Sequence, residues 1–243
     1  MFKKKTAALI LAALMGMSLF AGCKGESQID PNVEAPILNF QAPEIGEKIA
    51  VIKVKDLGEI KIKLFPEDAQ KGVENFIGLA EMDYYNEIIF HRVIPNFMNQ
   101  TGDPRGDGYG GKSIWGDKFD GGVPEGLYHF TGAVAYANSG APDSNGSQFY
   151  IVNTPAEFVY YGGYKDFDEL SSATGKVYSD ELKNAYIEKG GVPFLDGGYT
   201  VFGQVFEGMD IVYSIANVET DPSNDKPLTQ VLMESIEIVE YQG

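Results

Sequence analysis

The stretch FHRVIPNFMNQTGD, residues 90–103, holds two short apolar runs separated by turn-forming residues. Runs of this length bounded by turn residues are typical of β-strands. Similar runs follow in GAVAYAN, SQFYIV and TVFGQVF, and LMESIEIVEY supplies another near the end of the chain. The sequence therefore predicts a mainly β protein built from many short strands.

Upstream of this stretch, KIAVIKV and GEIKIKLF alternate apolar and charged residues, with the turn 56–58 between them. A period of two predicts strands, and the turn predicts a hairpin. Helical spacing over residues 67–85 predicts a helix with Glu67 and Asp68 in its first turn, and a second short helix is predicted over 208–216. Many strands with two helices favour a closed antiparallel β-barrel capped by two α-helices.

Residues 155–191 break this rhythm and are rich in Tyr, Lys, Asp and Glu. Ser179 to Lys189 has the pattern of an amphipathic helix, with Ser179 as the N-cap and Gly190 beyond its end. A segment this short cannot bury an independent core. We predict an inserted helical segment between two strands of the barrel.

Composition restricts the classes of function. The formal net charge of −16 argues against nucleic-acid binding, which needs a basic surface. Cys23, His91 and His129 are the only Cys and His residues, so neither a zinc site nor an intramolecular disulfide is expected. We expect no metal and no cofactor, although a metal site built only from carboxylates is left open.

The N-terminal residues resemble a lipoprotein signal. Three lysines precede an apolar run, and small residues then lead to Cys23. We predict a signal peptide over 1–22, a diacylglyceryl-modified Cys23, a flexible tether over 23–47 and a folded domain over 48–243. The protein would then be extracytoplasmic and lipid-anchored to the cell membrane. An ordinary cleaved signal beside an unmodified cysteine is the alternative.

Four blocks carry a family resemblance: FHRVIPNFMNQTGD, GYGGKSIWGDKF, AYANSGAPDSNGSQFYI and FLDGGYTVFGQVFEGMDIV. In this order they resemble the cyclophilin-type peptidyl-prolyl cis-trans isomerases. The resemblance implies an eight-stranded barrel with two capping helices. It also implies rotation about X–Pro bonds in unfolded or folding polypeptides.

The resemblance also implies site residues. Arg92 would donate to the proline nitrogen of the twisted amide, and Gln100 would support that arginine and contact the substrate backbone. Ala137 and Asn138 would pair with the peptide main chain, and Gln148 would make a further substrate contact. The remaining substrate-binding positions share an apolar or aromatic character and are Phe97, Met98, Tyr150, Phe194, Leu195 and Tyr199.

Departures from the family pattern affect the aromatic positions. Phe194 stands where many members have tryptophan, Tyr199 where many have histidine, and Tyr150 where phenylalanine is common. Because Phe194 has no N–H donor, we expect cyclosporin to bind more weakly than it does to members with the tryptophan. His91 and the pair Asp103 and Asp107 are interpreted as structural.

Three functions compete. The first is a foldase for exported proteins, and the second is a weakly active binding module or chaperone for proline-containing segments. A solute-binding lipoprotein is the third, and it fits the N-terminal signal but not the four blocks. For residues 155–191, we leave open whether they extend the groove towards basic substrates or only cover the barrel.

Overall fold

Strands dominate the computed structural model, which describes residues 36–243. The strands are β1 (Lys48–Val54), β2 (Gly58–Leu64), β3 (Ile88–Ile89), β4 (Arg92–Ile94), β5 (Met98–Thr101), β6 (Ala133–Tyr136), β7 (Phe149–Val152), β8 (Val201–Glu207), β9 (Thr220–Asp221), β10 (Lys226–Pro227) and β11 (Leu232–Glu240). The helices are α1 (Gln70–Glu81), α2 (Phe167–Thr174), α3 (Asp180–Lys189) and α4 (Met209–Ala216), and short 3-10 turns lie at Pro142–Ser144 and Pro193–Leu195.

Nine strands form one curled antiparallel sheet in the order β3-β11-β1-β2-β8-β6-β7-β5-β4. The predicted hairpin is present as β1 and β2, with Ile52 opposite Ile60. Both of these side chains are fully buried, as alternation with a period of two requires of one face of each strand. The mainly β prediction is confirmed.

The sheet has nine strands where eight were expected, with β3 and β4 last in the order, and its closure into a barrel stays a prediction. These two strands are consecutive in the chain, but they pair with different neighbours. The N–H of Phe90 donates to Val231 O beside β11, whereas the N–H of His91 donates to Gln100 O on β5. This change of partner divides the segment into two strands.

Both predicted capping helices are present, as α1 and α4. Helix α1 buries Val73 and Phe76, and the Phe76 ring packs on the rings of Phe149 and Phe202 at 5.3 and 5.0 Å. The helix begins later than expected, because Ala69 N–H donates to Phe65 O and closes a turn ahead of Gln70. Glu67 and Asp68 lie in that turn, so their predicted place in the first helical turn was wrong.

The inserted segment contains two helices, of which the sequence analysis predicted only α3. Ser179 caps α3 as expected and accepts a hydrogen bond from the N–H of Leu182. Helix α2 is capped by the Asp166 side chain, a local signal that could have revealed it. The insertion shares its apolar cluster with the rest of the domain through Phe130. The buried residues of this cluster are Phe130, Phe167, Leu170, Tyr178, Leu182 and Tyr186.

Residues 36–47 lie against the domain rather than apart from it as a tether. The Asn39 amide donates to Tyr128 O and to the Gln204 side chain, each at 2.9 Å, and the Phe40 ring packs 4.8 Å from that of Phe130. The predicted signal peptide, Cys23 and the first part of the predicted tether lie outside the described residues. Within residues 36–243, every helix is too short or too polar to cross a membrane.

Candidate active site

A row of three side chains crosses the sheet at β4, β5 and β7. Arg92 pairs with Gln100, and Gln100 pairs with Tyr150. Residues that are directly opposite in antiparallel strands present their side chains on the same face. Met98, two positions before Gln100, shares that face. The sheet therefore places a cation, an amide and two large apolar side chains side by side.

A cavity of about 250 Å³ lies over this row. Nine of the eleven residues predicted for the site line it, namely Arg92, Phe97, Met98, Gln100, Ala137, Asn138, Tyr150, Leu195 and Tyr199. Phe97 and Met98 are consecutive, which on a continuous strand would send them to opposite faces. Phe97 lies in the turn before β5, so strand alternation does not separate the two side chains.

The other two predicted residues lie next to this cavity. Gln148 lines an adjoining cavity of about 240 Å³ that shares Gln100, Ala137 and Asn138 with the first. The Phe194 ring packs against Phe97 with the ring centroids 5.7 Å apart. Phe194 therefore supports the wall of the first cavity from behind Phe97.

Arg92 is held from one side by an ion pair that the sequence did not reveal. Its Nε donates to Asp225 Oδ2 at 3.2 Å, and the carbonyl of Asp225 accepts the N–H of Val93. In residues 36–243 this is the only hydrogen bond of the guanidinium, so both terminal nitrogens have no protein partner. The Asp225 carboxylate therefore orients the planar guanidinium of Arg92, and the N–H groups of its terminal nitrogens remain available to a ligand.

Two side-chain amides organise the rest of the groove. Gln148 Nε2 donates to Gly108 O and Gly110 O, and its Oε1 accepts from Gln100 Nε2, each at 2.9 Å. Asn138 uses both ends of its amide, donating to Gly198 O in the loop before β8 and accepting from Gly140 N in its own loop. Its main chain, rather than its side chain, is therefore the part left for a ligand.

The nearby acid–base candidates serve the local structure. Asp103 accepts the backbone N–H groups of Arg105, Asp107 and Gly108. His91 is buried, neither of its ring nitrogens has a hydrogen-bond partner among the described residues, and burial lowers its pKa. Across residues 36–243, no cluster of His, Cys, Asp and Glu is suited to a metal ion.

The family model described as "Cyclophilin type peptidyl-prolyl cis-trans isomerase/CLD" matches residues 49–238, which contain the whole site. The chain belongs to this family. A Staphylococcus saprophyticus protein, provisionally named a peptidyl-prolyl cis-trans isomerase, is 42% identical over 197 residues, covering 80% of this chain and 94% of that protein. A Staphylococcus aureus protein with the same provisional name is 42% identical over 207 residues, covering 84% and 98%.

Solved structures agree with this assignment. A Cryptosporidium parvum cyclophilin, determined in the presence of the dipeptide Ala-Pro, matches with a TM-score of 0.60 and 29% identity, covering 79% of this chain and 99% of that one. The cyclophilin described here is therefore a peptidyl-prolyl cis-trans isomerase, and proline-containing peptides are its substrates.

Asp225→Asn tests whether the ion pair directs Arg92. We expect kcat/KM for a proline peptide to fall about two- to fivefold, since an exposed pair contributes up to roughly 1 kcal/mol. Strands β9 and β10 pair with each other, and Asp225 directly precedes β10. Glu219, directly before β9, makes no ion pair with Arg92 in residues 36–243, so Glu219→Gln removes a charge of the same sign and should leave kcat/KM unchanged. Equal rates for the two variants would show that Asp225 does not position the arginine.

Proposed function

We propose that this cyclophilin accelerates the folding of exported proteins by rotating their X–Pro bonds, with Arg92 stabilising the twisted amide above an apolar proline pocket. One observation carries the mechanism. Arg92 lines the same cavity as Phe97 and Met98, and its terminal nitrogens have no hydrogen-bond partner in the part of the chain that the structure describes. A cationic donor and an apolar cup therefore meet at one place.

The chemistry of the reaction explains why this pairing suffices. Rotation about a peptide bond meets a barrier of ~18–20 kcal/mol because it breaks amide resonance. At the twisted transition state the proline nitrogen is pyramidal and basic, so a guanidinium N–H that donates to it stabilises the transition state more than the planar ground state. No proton need be transferred, which is consistent with the structural roles of His91 and Asp103.

Substrate would bind along the two adjoining cavities. The proline ring fits the apolar cavity, as the presence of Ala-Pro with the Cryptosporidium parvum neighbour supports. The preceding residues of the peptide would follow Ala137 and Asn138 into the cavity beside Gln148. Cyclosporin would use the same surface, and its weaker binding stays a prediction that rests on the missing N–H of Phe194.

The scaffold is proposed to act as a closed eight-stranded barrel in which β3 and β4 count as one strand. In support, the two strands are separated by only two residues and pair with β11 and β5, which are at opposite ends of the ladder. Such closure would hold Arg92 in fixed register with Gln100 and leave no open strand edge beside the site.

The site of action is proposed to be the outer face of the cell membrane, with the enzyme anchored through lipid on Cys23. The lysines, the apolar run and the small residues before Cys23 support this location. Polypeptides emerging from the membrane unfolded would meet the enzyme there. Their X–Pro bonds isomerise in tens to hundreds of seconds, roughly, without catalysis.

Phe97→Ala tests the proline pocket. We expect KM for an Ala-Pro peptide to rise about tenfold with kcat little changed, because part of the apolar surface that covers the proline ring is lost. The matched control is Phe158→Ala, which removes an exposed phenylalanine of the insertion that does not line the cavity. An unchanged KM in Phe97→Ala, measured by following cis–trans conversion of the peptide by NMR, would contradict the pocket assignment.

A further inference from the structure

A chain of four buried polar side chains runs from the proline pocket to the inserted segment. The Tyr150 hydroxyl lies 3.0 Å from His129 Nε2, and His129 Nδ1 lies 2.7 Å from Asp196 Oδ1. The Tyr186 hydroxyl donates to Asp196 Oδ2 at 2.7 Å. Tyr150 lines the cavity, whereas Tyr186 belongs to α3 of the insertion.

Donors and acceptors can be assigned consistently along these four hydrogen-bonded side chains. Asp196 also accepts the backbone N–H of His129, so its carboxylate acts as an acceptor throughout. Nδ1 of His129 therefore donates to Asp196, and in the neutral imidazole Nε2 accepts from the Tyr150 hydroxyl, which has no other partner in residues 36–243. Burial raises the pKa of both Tyr150 and Tyr186, so each keeps the proton that it donates.

The insertion also contacts the pocket wall directly. Lys176 Nζ donates to Phe194 O at 2.8 Å, and the Tyr160 ring packs 5.5 Å from Phe97 and 5.4 Å from Phe194. Gly162 approaches the Phe194 ring so closely, at a φ of +70°, that a Cβ there would lie 2.5 Å from Cγ. The segment is therefore built against the residues that shape the pocket.

We propose that the insertion is a positioning element of the active site, with Tyr186 acting through Asp196 and His129 to fix Tyr150 in the wall of the proline pocket. The proposal rests on the proposed function, because it assigns the proline ring to that cavity. A buried polar group that loses its partner is destabilising, since water cannot replace the lost hydrogen bond. The four-residue chain therefore favours one orientation of Tyr150.

Tyr186→Phe removes the hydrogen bond from the insertion to Asp196 and keeps the aromatic ring in the apolar cluster. We expect KM for an Ala-Pro peptide to rise about fivefold with kcat within about twofold, because a displaced Tyr150 weakens proline binding in ground and transition states alike. Tyr161→Phe is the matched control. It removes an insertion hydroxyl that makes no hydrogen bond in residues 36–243, and it should leave both constants unchanged.

A double-mutant cycle separates positioning from general stability. In a Tyr150→Phe background the hydroxyl link is already absent, so adding Tyr186→Phe should change KM by less than about twofold. If the effect of Tyr186→Phe on KM is as large there as in the wild type, the chain does not act through Tyr150 and the proposal is overturned. Thermal unfolding of each variant shows whether a KM change follows loss of stability instead.

NMR of the unmodified enzyme provides a test that does not depend on how variants fold. The ¹⁵N shifts of His129 should show a protonated Nδ1 and an unprotonated Nε2. The opposite tautomer would overturn the chain described above. The proposed function fails separately, because it requires that turnover depend on Arg92. If Arg92→Ala lowers kcat/KM but Tyr186→Phe leaves KM unchanged, the proposed function stands and the positioning role of Tyr186 is wrong.

Discussion

Arg92→Ala is expected to lower kcat/KM for X–Pro isomerisation by about 100- to 1,000-fold. Losing a preorganised donor to charge that develops in the transition state typically costs ~2.7–4 kcal/mol. The fold should survive, since the side chain is 42% exposed and its one ion pair within residues 36–243 is with Asp225. A protease-coupled assay on a proline peptide measures the rate, and circular dichroism checks the fold.

Arg105→Ala is the matched control for that substitution. Arg105 is the other arginine of the chain, it also pairs with a surface carboxylate, Asp107, and it lies outside the cavity. It should retain wild-type kcat/KM. Turnover by Arg92→Ala equal to that of this control would exclude the proposed mechanism. It would favour a binding module that grips proline segments with little dependence on the guanidinium.

Cys23→Ser is expected to move the protein from the membrane fraction to the soluble fraction almost completely. Serine offers no thiol to form the thioether with a diacylglyceryl group. Each buried CH₂ of an acyl chain contributes about 0.8 kcal/mol, and stable anchoring needs two anchoring signals. The remaining protein is acidic, with a net charge of −16 for the full sequence, so attraction to anionic lipid cannot replace the anchor.

Fractionation with mass spectrometry of the N-terminal peptide checks this result. Ser27→Ala alters a polar residue a few positions beyond Cys23 and should stay in the membrane fraction with its lipid mass. If Cys23→Ser also remains membrane-bound and its mass shows that no lipid was lost, the anchor assignment is wrong. Isomerase activity should be equal in both variants, because the cavity residues all lie from Arg92 onwards.

Local patterns allowed much of the fold to be predicted from sequence. Alternation in KIAVIKV and GEIKIKLF indicated β1 and β2, and Ser179 with Gly190 marked the two ends of α3. These signals work because backbone periodicity and capping depend on neighbours within a few residues. Helix α2 was missed although its cap, Asp166, and its buried Phe167 and Leu170 are local signals.

Sequence motifs also led to the cavity. Nine of the eleven predicted residues line it because the motif blocks lie on neighbouring strands, where register places Arg92, Gln100 and Tyr150 in one row. The motifs gave no indication of Asp225, which reaches Arg92 across 133 positions. Asp225 lies in the stretch DPSNDKP, whose residues are typical of a surface turn.

The sequence by itself determined the family, the strand-rich architecture and the place of the insertion, and it predicted nine of the residues that line the cavity. Only the tertiary structure decided that residues 36–47 pack on the domain, that β3 and β4 pair with different neighbours, and that Tyr186 reaches Tyr150 through His129 and Asp196. The reason is physical. Periodicity and turn residues report local backbone geometry, whereas a buried hydrogen bond depends on where distant segments meet, and a polar side chain looks the same in sequence whether it faces water or a partner.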